Sequence, residues 1–444
     1  METTLQVGVG KKCITPPLGT PLYGYPYHRP AESVGDDLHV TAAAFSYGET
    51  KAILFSADIV SCSADFTDKI KAEVALRTGF PTSCMIYSVT HTHSGPQTTL
   101  KSSGWGKTPD HSYLDEILLP CSIQAAVEAV NNLKPALFGV GVTQSDVAAN
   151  RRELTPNGSV ELGQNPWGLV DKEMTVLSFK DRQTDSVLLN IVHYGCHGTA
   201  SGHNLEITRD WPGTMKDTLE RELGGTAMFL PGAIGECGPR CPNGKTTQNY
   251  TVAQELGCRA GYDAIQAWKS IKLWQSGPLV AVCDTISVPY DPLPAKELAL
   301  TEVEKLGTEE ELWANGKRRE INELYRWQDI LAEYDKEALE THYKSAQCIL
   351  AFGPVALVPF AFEMFLHPTL QLRRYSKFPH TLSLSNTNDT KGYLPSQDQL
   401  CRGGYEVWSF RYLNTYKLVD NADDYMVTEN LKLLDHAFEK MQNI

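Results

Sequence analysis

No stretch of this sequence is apolar for long enough to span a bilayer, and none repeats or collapses into a few residue types. Basic charge is in deficit. Against 40 Lys and Arg stand 53 Asp and Glu, a formal net charge of −13. That balance excludes a general nucleic-acid binder, which needs a basic face, and it is poor for binding anionic lipid surfaces. The start, Met1-Glu2-Thr3-Thr4-Leu5-Gln6, lacks the cationic and then apolar pattern of a secretory leader. The expectation is a cytoplasmic protein with no stable membrane insertion. The 11 cysteines are odd in number and scattered, so they read as reduced thiols rather than a disulfide framework. Cys237-x3-Cys241 is the tightest pair, and no second pair follows it at zinc-finger spacing.

What is present suits a folded enzyme. Of 444 residues, 42% are hydrophobic and 21% charged, enough for a substantial core. The length allows two or three domains or one large unit, and the reading taken here is a single unit over 1–444. Apolar runs at 40–45, 52–55, 85–89, 136–142, 175–179, 187–192, 228–230, 282–288, 355–360 and 381–384 read as strands. Helical patterns cover 64–79, 112–133, 210–223, 251–271, 366–374 and 428–441, with a break expected at Pro120. The alternation predicts an α/β fold, central mixed β-sheets flanked by helices, with a helical insertion near 295–347.

The chemistry gathers at strand ends. Met85 to Val89 runs into Thr90-His91-Thr92-His93-Ser94-Gly95-Pro96. In an extended chain, residues two apart share a side, so His91 and His93 make half of a plausible metal site. Asn150-Arg151-Arg152 reads as a loop, where a guanidinium could hold a carbonyl oxygen. Asp58, closing the strand at 52–55, reads chiefly as a cap for the helix at Ala64. His193 and His197 both follow the strand at 187–192, and either could serve as a ligand.

Four separated motifs together resemble the neutral/alkaline ceramidase family. The first is His91-Thr92-His93-Ser94-Gly95-Pro96. The second is Cys196-His197-Gly198-Thr199 with Arg209-Asp210-Trp211-Pro212-Gly213. The third is Phe362-Glu363 ahead of Leu372-Arg373, and the fourth is Gly392-Tyr393-Leu394-Pro395 with Gly403-Gly404-Tyr405-Glu406. The resemblance keeps chain order over about residues 7–410. It implies a zinc ion held by His91, His197, Glu363 and Tyr393, with His93 beside it and Arg151 near the reacting group. It also implies substrate contacts from Glu236, Gly238 and Asp210. Two imidazoles and a carboxylate are ordinary zinc ligands.

The chain departs from that pattern in places. Gly238 stands where the family's Gly-Asp-Val-Ser-Pro loop carries Ser, and Glu236 stands at its Asp. The stretch at 295–347 has no counterpart, and the chain is expected to lack the family's immunoglobulin-like C-terminal domain. The reading is therefore a zinc-dependent hydrolase of an amide, less readily an ester, acting on a soluble small molecule rather than ceramide. A non-catalytic zinc-stabilised binding protein and a metal-dependent hydrolase of a glycosidic or lactone bond stay open beside it. So does assembly as a homo-oligomer.

Overall fold

Eight strands form the larger sheet. They are β1 (Gln6–Cys13), β2 (His39–Tyr47), β3 (Thr50–Ala57), β4 (Met85–Val89), β5 (Lys134–Gln144), β6 (Glu173–Asp181), β7 (Val187–Tyr194) and β8 (Thr226–Pro231). Their spatial order is β8-β7-β6-β5-β1-β2-β3-β4. The β3/β4 and β7/β8 pairs are parallel and the others antiparallel, so the sheet is mixed. A second sheet, in the order β9 (Leu279–Pro289), β10 (His342–Phe352), β11 (Val355–Pro359), β12 (His380–Leu384), is antiparallel except for β11/β12. The computed structural model describes residues 3–25, 29–99 and 111–444, so Met1 and Glu2 of the leader reading lie outside the described residues.

The strands read as near-continuous apolar runs because both faces are covered. Alternation of side chains assigns Val40, Ala42 and Ala44 of β2, with Ile53 and Phe55 of β3, to a core under helices α1 (Ala64–Thr78) and α2 (Leu119–Asn131). Ala43, Phe45 and Leu54 point the other way, onto the second sheet. There Phe45, Phe138, Phe179 and Phe352 cluster with ring centroids 4.9–6.2 Å apart, joining β2, β5, β6 and β10. Helices α3 (Asp210–Leu223) and α4 (Tyr250–Lys269) cover β6, β7 and β8. The two ends of the large sheet approach one another, with Ser56 Oγ of β3 donating to Phe229 O of β8 at 2.8 Å.

Glycine in these strands marks where a helix sits on backbone. A Cβ on Gly10 would lie 2.2 Å from Ala125 O of α2, and one on Gly141 would lie 1.9 Å from Ala267 O of α4. The expected break at Pro120 takes the form of a π turn over Leu114–Leu118, ahead of the α-helical run. The wider turn accommodates a residue with no N–H to give.

The helical stretch comprises α5 (Lys296–Leu306), α6 (Glu309–Ala314) and α7 (Arg318–Glu333). Its expected end is corrected: 342–347 belong to β10, because that segment alternates and pairs fully with β9. The last helix, α8 (Ala422–Gln442), begins six residues before its expected start and covers the outer face of the second sheet.

Candidate active site

The parallel strands place their C-terminal ends together, which is where open α/β sheets gather functional side chains. His91 lies two residues past β4, His197 three past β7 and Glu363 four past β11. The short strand Glu363–Met364 pairs in parallel with Tyr393–Leu394, setting Glu363 directly beside Tyr393. Arg151 comes from the strand Ala148–Leu154, so the loop expected there is corrected. That strand pairs with Cys237–Pro239 and Val160–Asn165. Its polar sequence hid it from a search for apolar runs.

His91 and His93 meet, though not through an extended chain. His91 adopts a left-handed conformation, φ 62°, and so departs from strand alternation. Its N–H bonds Ile59 O at 3.1 Å and its Nδ1 bonds Val60 O at 2.6 Å. A carbonyl only accepts, so the proton sits on Nδ1 and the Nε2 lone pair faces the site. His197 repeats the device, with Nδ1 at 2.7 Å from Ile234 O and 3.0 Å from Cys237 O. Backbone carbonyls that fix the tautomer in this way are the usual support of metal-ligating imidazoles.

The inward atoms converge. Ring nitrogens of His91, His93 and His197 lie within 4.8 Å of one another, and His93 Nε2 is 3.2 Å from His91 Nε2. Glu363 reaches both outer imidazoles, Oε1 at 3.5 Å from His91 Nε2 and Oε2 at 3.0 Å from His197 Nε2. Oε2 makes no hydrogen bond there despite its burial, since it faces a nitrogen lone pair rather than an N–H. Burial favours the protonated Glu363 carboxyl, but the imidazoles and Arg151 overcome it and hold the pKa down to about 2. Burial and then Arg151 bring His197 down to about 4, and burial pushes His93 well below its usual value. His93 and His197, neutral by burial, therefore face an ionised carboxylate together with His91. That donor set fits a divalent cation.

Arg151 borders this centre. Its Nη1 is 3.0 Å from His197 Nε2, Nη2 donates to Tyr393 Oη at 2.9 Å, and Nε donates to Glu406 Oε1 at 2.9 Å. Burial disfavours the charge on Arg151, but Tyr393, Glu406 and Glu363 more than compensate and keep it protonated. Burial lifts the Tyr393 phenol well above its ordinary value, against the pull of Arg151.

The remaining expected residues stand behind this front. Glu236 accepts from Leu366 N at 3.0 Å and Asn150 Nδ2 at 3.1 Å, while its backbone oxygen accepts from Arg151 N at 2.8 Å. A side chain on Gly238 would meet Thr246, its Cβ 2.7 Å from Thr246 Cβ. Asp210 takes the amides of Ala200, Ser201 and Trp211 at 2.7–3.0 Å, and Trp211 Nε1 then holds His197 O at 2.7 Å. His193 turns away, its Nε2 at 2.9 Å from Ser383 O. Asp58 does not cap α1, whose Ser63 cap makes no side-chain bond; it forms a fully buried pair with Lys216 at 2.6 Å.

Glu406 appears in the sequence only as the end of a motif, with no role assigned to it. It also accepts from Arg152 Nη1, at 2.6 Å. The signal was the pair Arg151-Arg152 itself, since two buried guanidiniums need a carboxylate partner. Beside Tyr393 opens a cavity of ≈ 240 Å³, lined by Tyr290, Glu333, Glu340, Lys391, Tyr416 and Phe362 among others.

The fold matches known structures. Neutral ceramidase from Pseudomonas aeruginosa superposes with a TM-score of 0.75 at 15% identity, over 100% of this chain and 75% of that one. A ceramidase complexed with C2 superposes with a TM-score of 0.70, also at 15% identity, over 99% of this chain and 76% of that one. The chain therefore has the ceramidase fold, a mixed α/β architecture with helices outside its sheets. No family model and no curated protein matches it by sequence. Among the described residues, no helix is long and apolar enough to cross a membrane.

Proposed function

We propose that this chain is a zinc-dependent hydrolase of an amide bond in a small polar molecule. The observation that carries the reading is the convergence of imidazole lone pairs on the Glu363 carboxylate beside a charged Arg151. His91, His197, Glu363 and Tyr393 would hold the ion. When bound, zinc supplies a Lewis acid and brings the pKa of a coordinated water to about 7.

The chain's own groups do the rest. The Asn150 and Glu236 contacts fix the Arg151 strand, and Glu406 orients the guanidinium toward the centre, where it stabilises charge growing on the carbonyl oxygen. His93, neutral by burial, faces the same point through Nε2 and can take up the proton that the leaving amine needs. No serine is required, in keeping with Gly238. Glu363 is the carboxylate that touches the imidazoles, and Glu406 is tied to two arginines. That favours metal-assisted acyl chemistry over glycoside hydrolysis, which works through two carboxylates flanking the bond.

The cavity meets the proposed ligands only at Tyr393, and Glu333, Glu340 and Lys391 among its aromatic walls suit a small polar substrate better than a long-chain lipid. A cytoplasmic setting belongs to the same reading, supported by 11 unbridged cysteines. The test is a panel of N-acyl substrates, from acetylated polar amines to ceramide, assayed before and after chelation and zinc restoration. Zinc-restored turnover of short polar amides is expected. Turnover indifferent to chelation, or confined to ceramide, refutes the reading.

A further inference from the structure

Three cysteines outside the imidazole centre bring their sulfurs together. Cys283 of β9 and Cys348 of β10 oppose each other directly across the antiparallel pair, with Sγ atoms 3.1 Å apart. Cys84 ends the one-turn helix Thr82–Cys84 just before β4, and its Sγ lies 3.5 Å from that of Cys283. All three sulfurs fall within 4.8 Å of one another. The cluster thus joins the edge of the large sheet to the second sheet. It sits at the opposite end of β4 from His91, seven residues and on the order of 20 Å away at strand rise.

We propose that Cys84, Cys283 and Cys348 form a site for a thiophilic divalent cation of the zinc and cadmium class, separate from the imidazole centre. A cross-strand disulfide would consume two thiols and would need no third. Here the third sulfur comes from the short helix ahead of β4, another part of the chain, which is how metal ligands are assembled. Tetrahedral zinc, with Zn–S near 2.3 Å, holds sulfurs about 3.8 Å apart. The observed spacings reach that by a small outward rotation. Cys348 is buried while Cys283 is exposed, so a fourth position opens to solvent.

The electrostatics help the first thiolate form. Hydrogen bonds from the thiols of Cys283 and then Cys348 lower the pKa of Cys84. Lys440, whose Nζ donates to Ala281 O at 3.1 Å, adds positive charge nearby. Binding exchanges three S–H protons, released to solvent, for one dication. Three thiolates and the ion leave a net charge of −1 next to Lys440. No electrons move.

The test is a titration of the reduced full-length protein with Cd²⁺, following thiolate-to-cadmium charge-transfer absorption and counting bound metal after dialysis. The wild type and His197→Ala should both show the band, saturating at about one ion per cluster. Cys283→Ser should abolish it and bind one ion fewer, with circular dichroism unchanged. Cys84→Ser, at a partly exposed position in the turn, should do the same. A band that persists in both cysteine variants overturns the site. So does a Cys283–Cys348 disulfide in protein isolated without reductant, seen as a mass two hydrogens short, because it would make the cluster a redox pair.

Discussion

Arg151 shows most plainly how single residues carry this centre. One guanidinium meets His197, Tyr393 and Glu406, and its backbone is held by Glu236. Arg151→Ala should lower kcat by about 10²–10³-fold, the usual loss on removing one donor to a developing oxyanion. Arg151→Lys should not rescue it, because a point charge cannot reach three partners in the geometry of the planar fork. Tyr393→Phe keeps the ring and should leave the melting temperature nearly unchanged while weakening zinc retention; full retention would remove Tyr393 from the ligand set. His91, His197, Glu363 and Tyr393 were legible as a set only through the motifs that resemble the ceramidase family; the first three also lie just past apolar strands, whereas Tyr393 opens a short strand of its own. The motifs could not show that His91 leaves the extended region, or that Val60, Ile234 and Cys237 would supply orienting carbonyls. Those contacts join segments 31–40 residues apart through backbone atoms, which carry no residue-type signal.

At the scale of elements, Asp58 and Lys216 tie the end of β3 to α3. Both are fully buried, and Asp58 Oδ2 also accepts from His39 N at 3.0 Å. The pair anchors the loop whose Val60 carbonyl orients His91. Burial pushes the Asp58 carboxyl up, but Lys216 and Arg209 prevail and the net shift is downward. A carboxyl with a depressed folded pKa adds stability that is present above its unfolded value of about 3.9 and is lost as pH falls through the folded value. The Asp58 contribution, read as the difference in urea midpoint between the wild type and Lys216→Met, should therefore hold level down to about pH 4 and drop below it. Lys216→Met leaves a buried unpaired carboxylate and should cost about 3–5 kcal/mol near neutrality. That deficit should shrink as acid protonates Asp58; a deficit independent of pH would mean that the pair is not ionic. The sequence offered Asp58 as a helix cap because capping is a local pattern, whereas its partner lies 158 residues away. The helical excursion was legible from composition. Its end was not, since the alternation at 342–347 is masked by the preceding helical run.

Across the whole molecule, the mixed α/β class followed from alternating apolar strands and amphipathic helices. Strand order did not. Nothing local to β7 or β11 says that their ends will meet that of β4, and long-range pairing of this kind is set by burial of both faces at once. The four phenylalanines at the junction of the sheets are one expression of it. Phe352→Ala should destabilise the fold by about 3–5 kcal/mol, read from denaturant midpoints. The excursion also meets the site from a distance, since Glu333 of α7 and Tyr416, bonded at 3.0 Å, line the cavity next to Tyr393. Glu333→Ala should raise KM with little change in kcat or zinc content. An unchanged KM would remove the cavity from the substrate path.

The central claim is that His91, His197 and Glu363 hold a zinc ion. Zinc per chain after exhaustive dialysis tests it most directly, measured by plasma mass spectrometry in a Cys283→Ser background so that the thiol cluster does not contribute. The account predicts about one zinc per chain, lost in His197→Ala and in Glu363→Gln and kept in His193→Gln. Zinc that survives both His197→Ala and Glu363→Gln, or that disappears with His193→Gln, would contradict it.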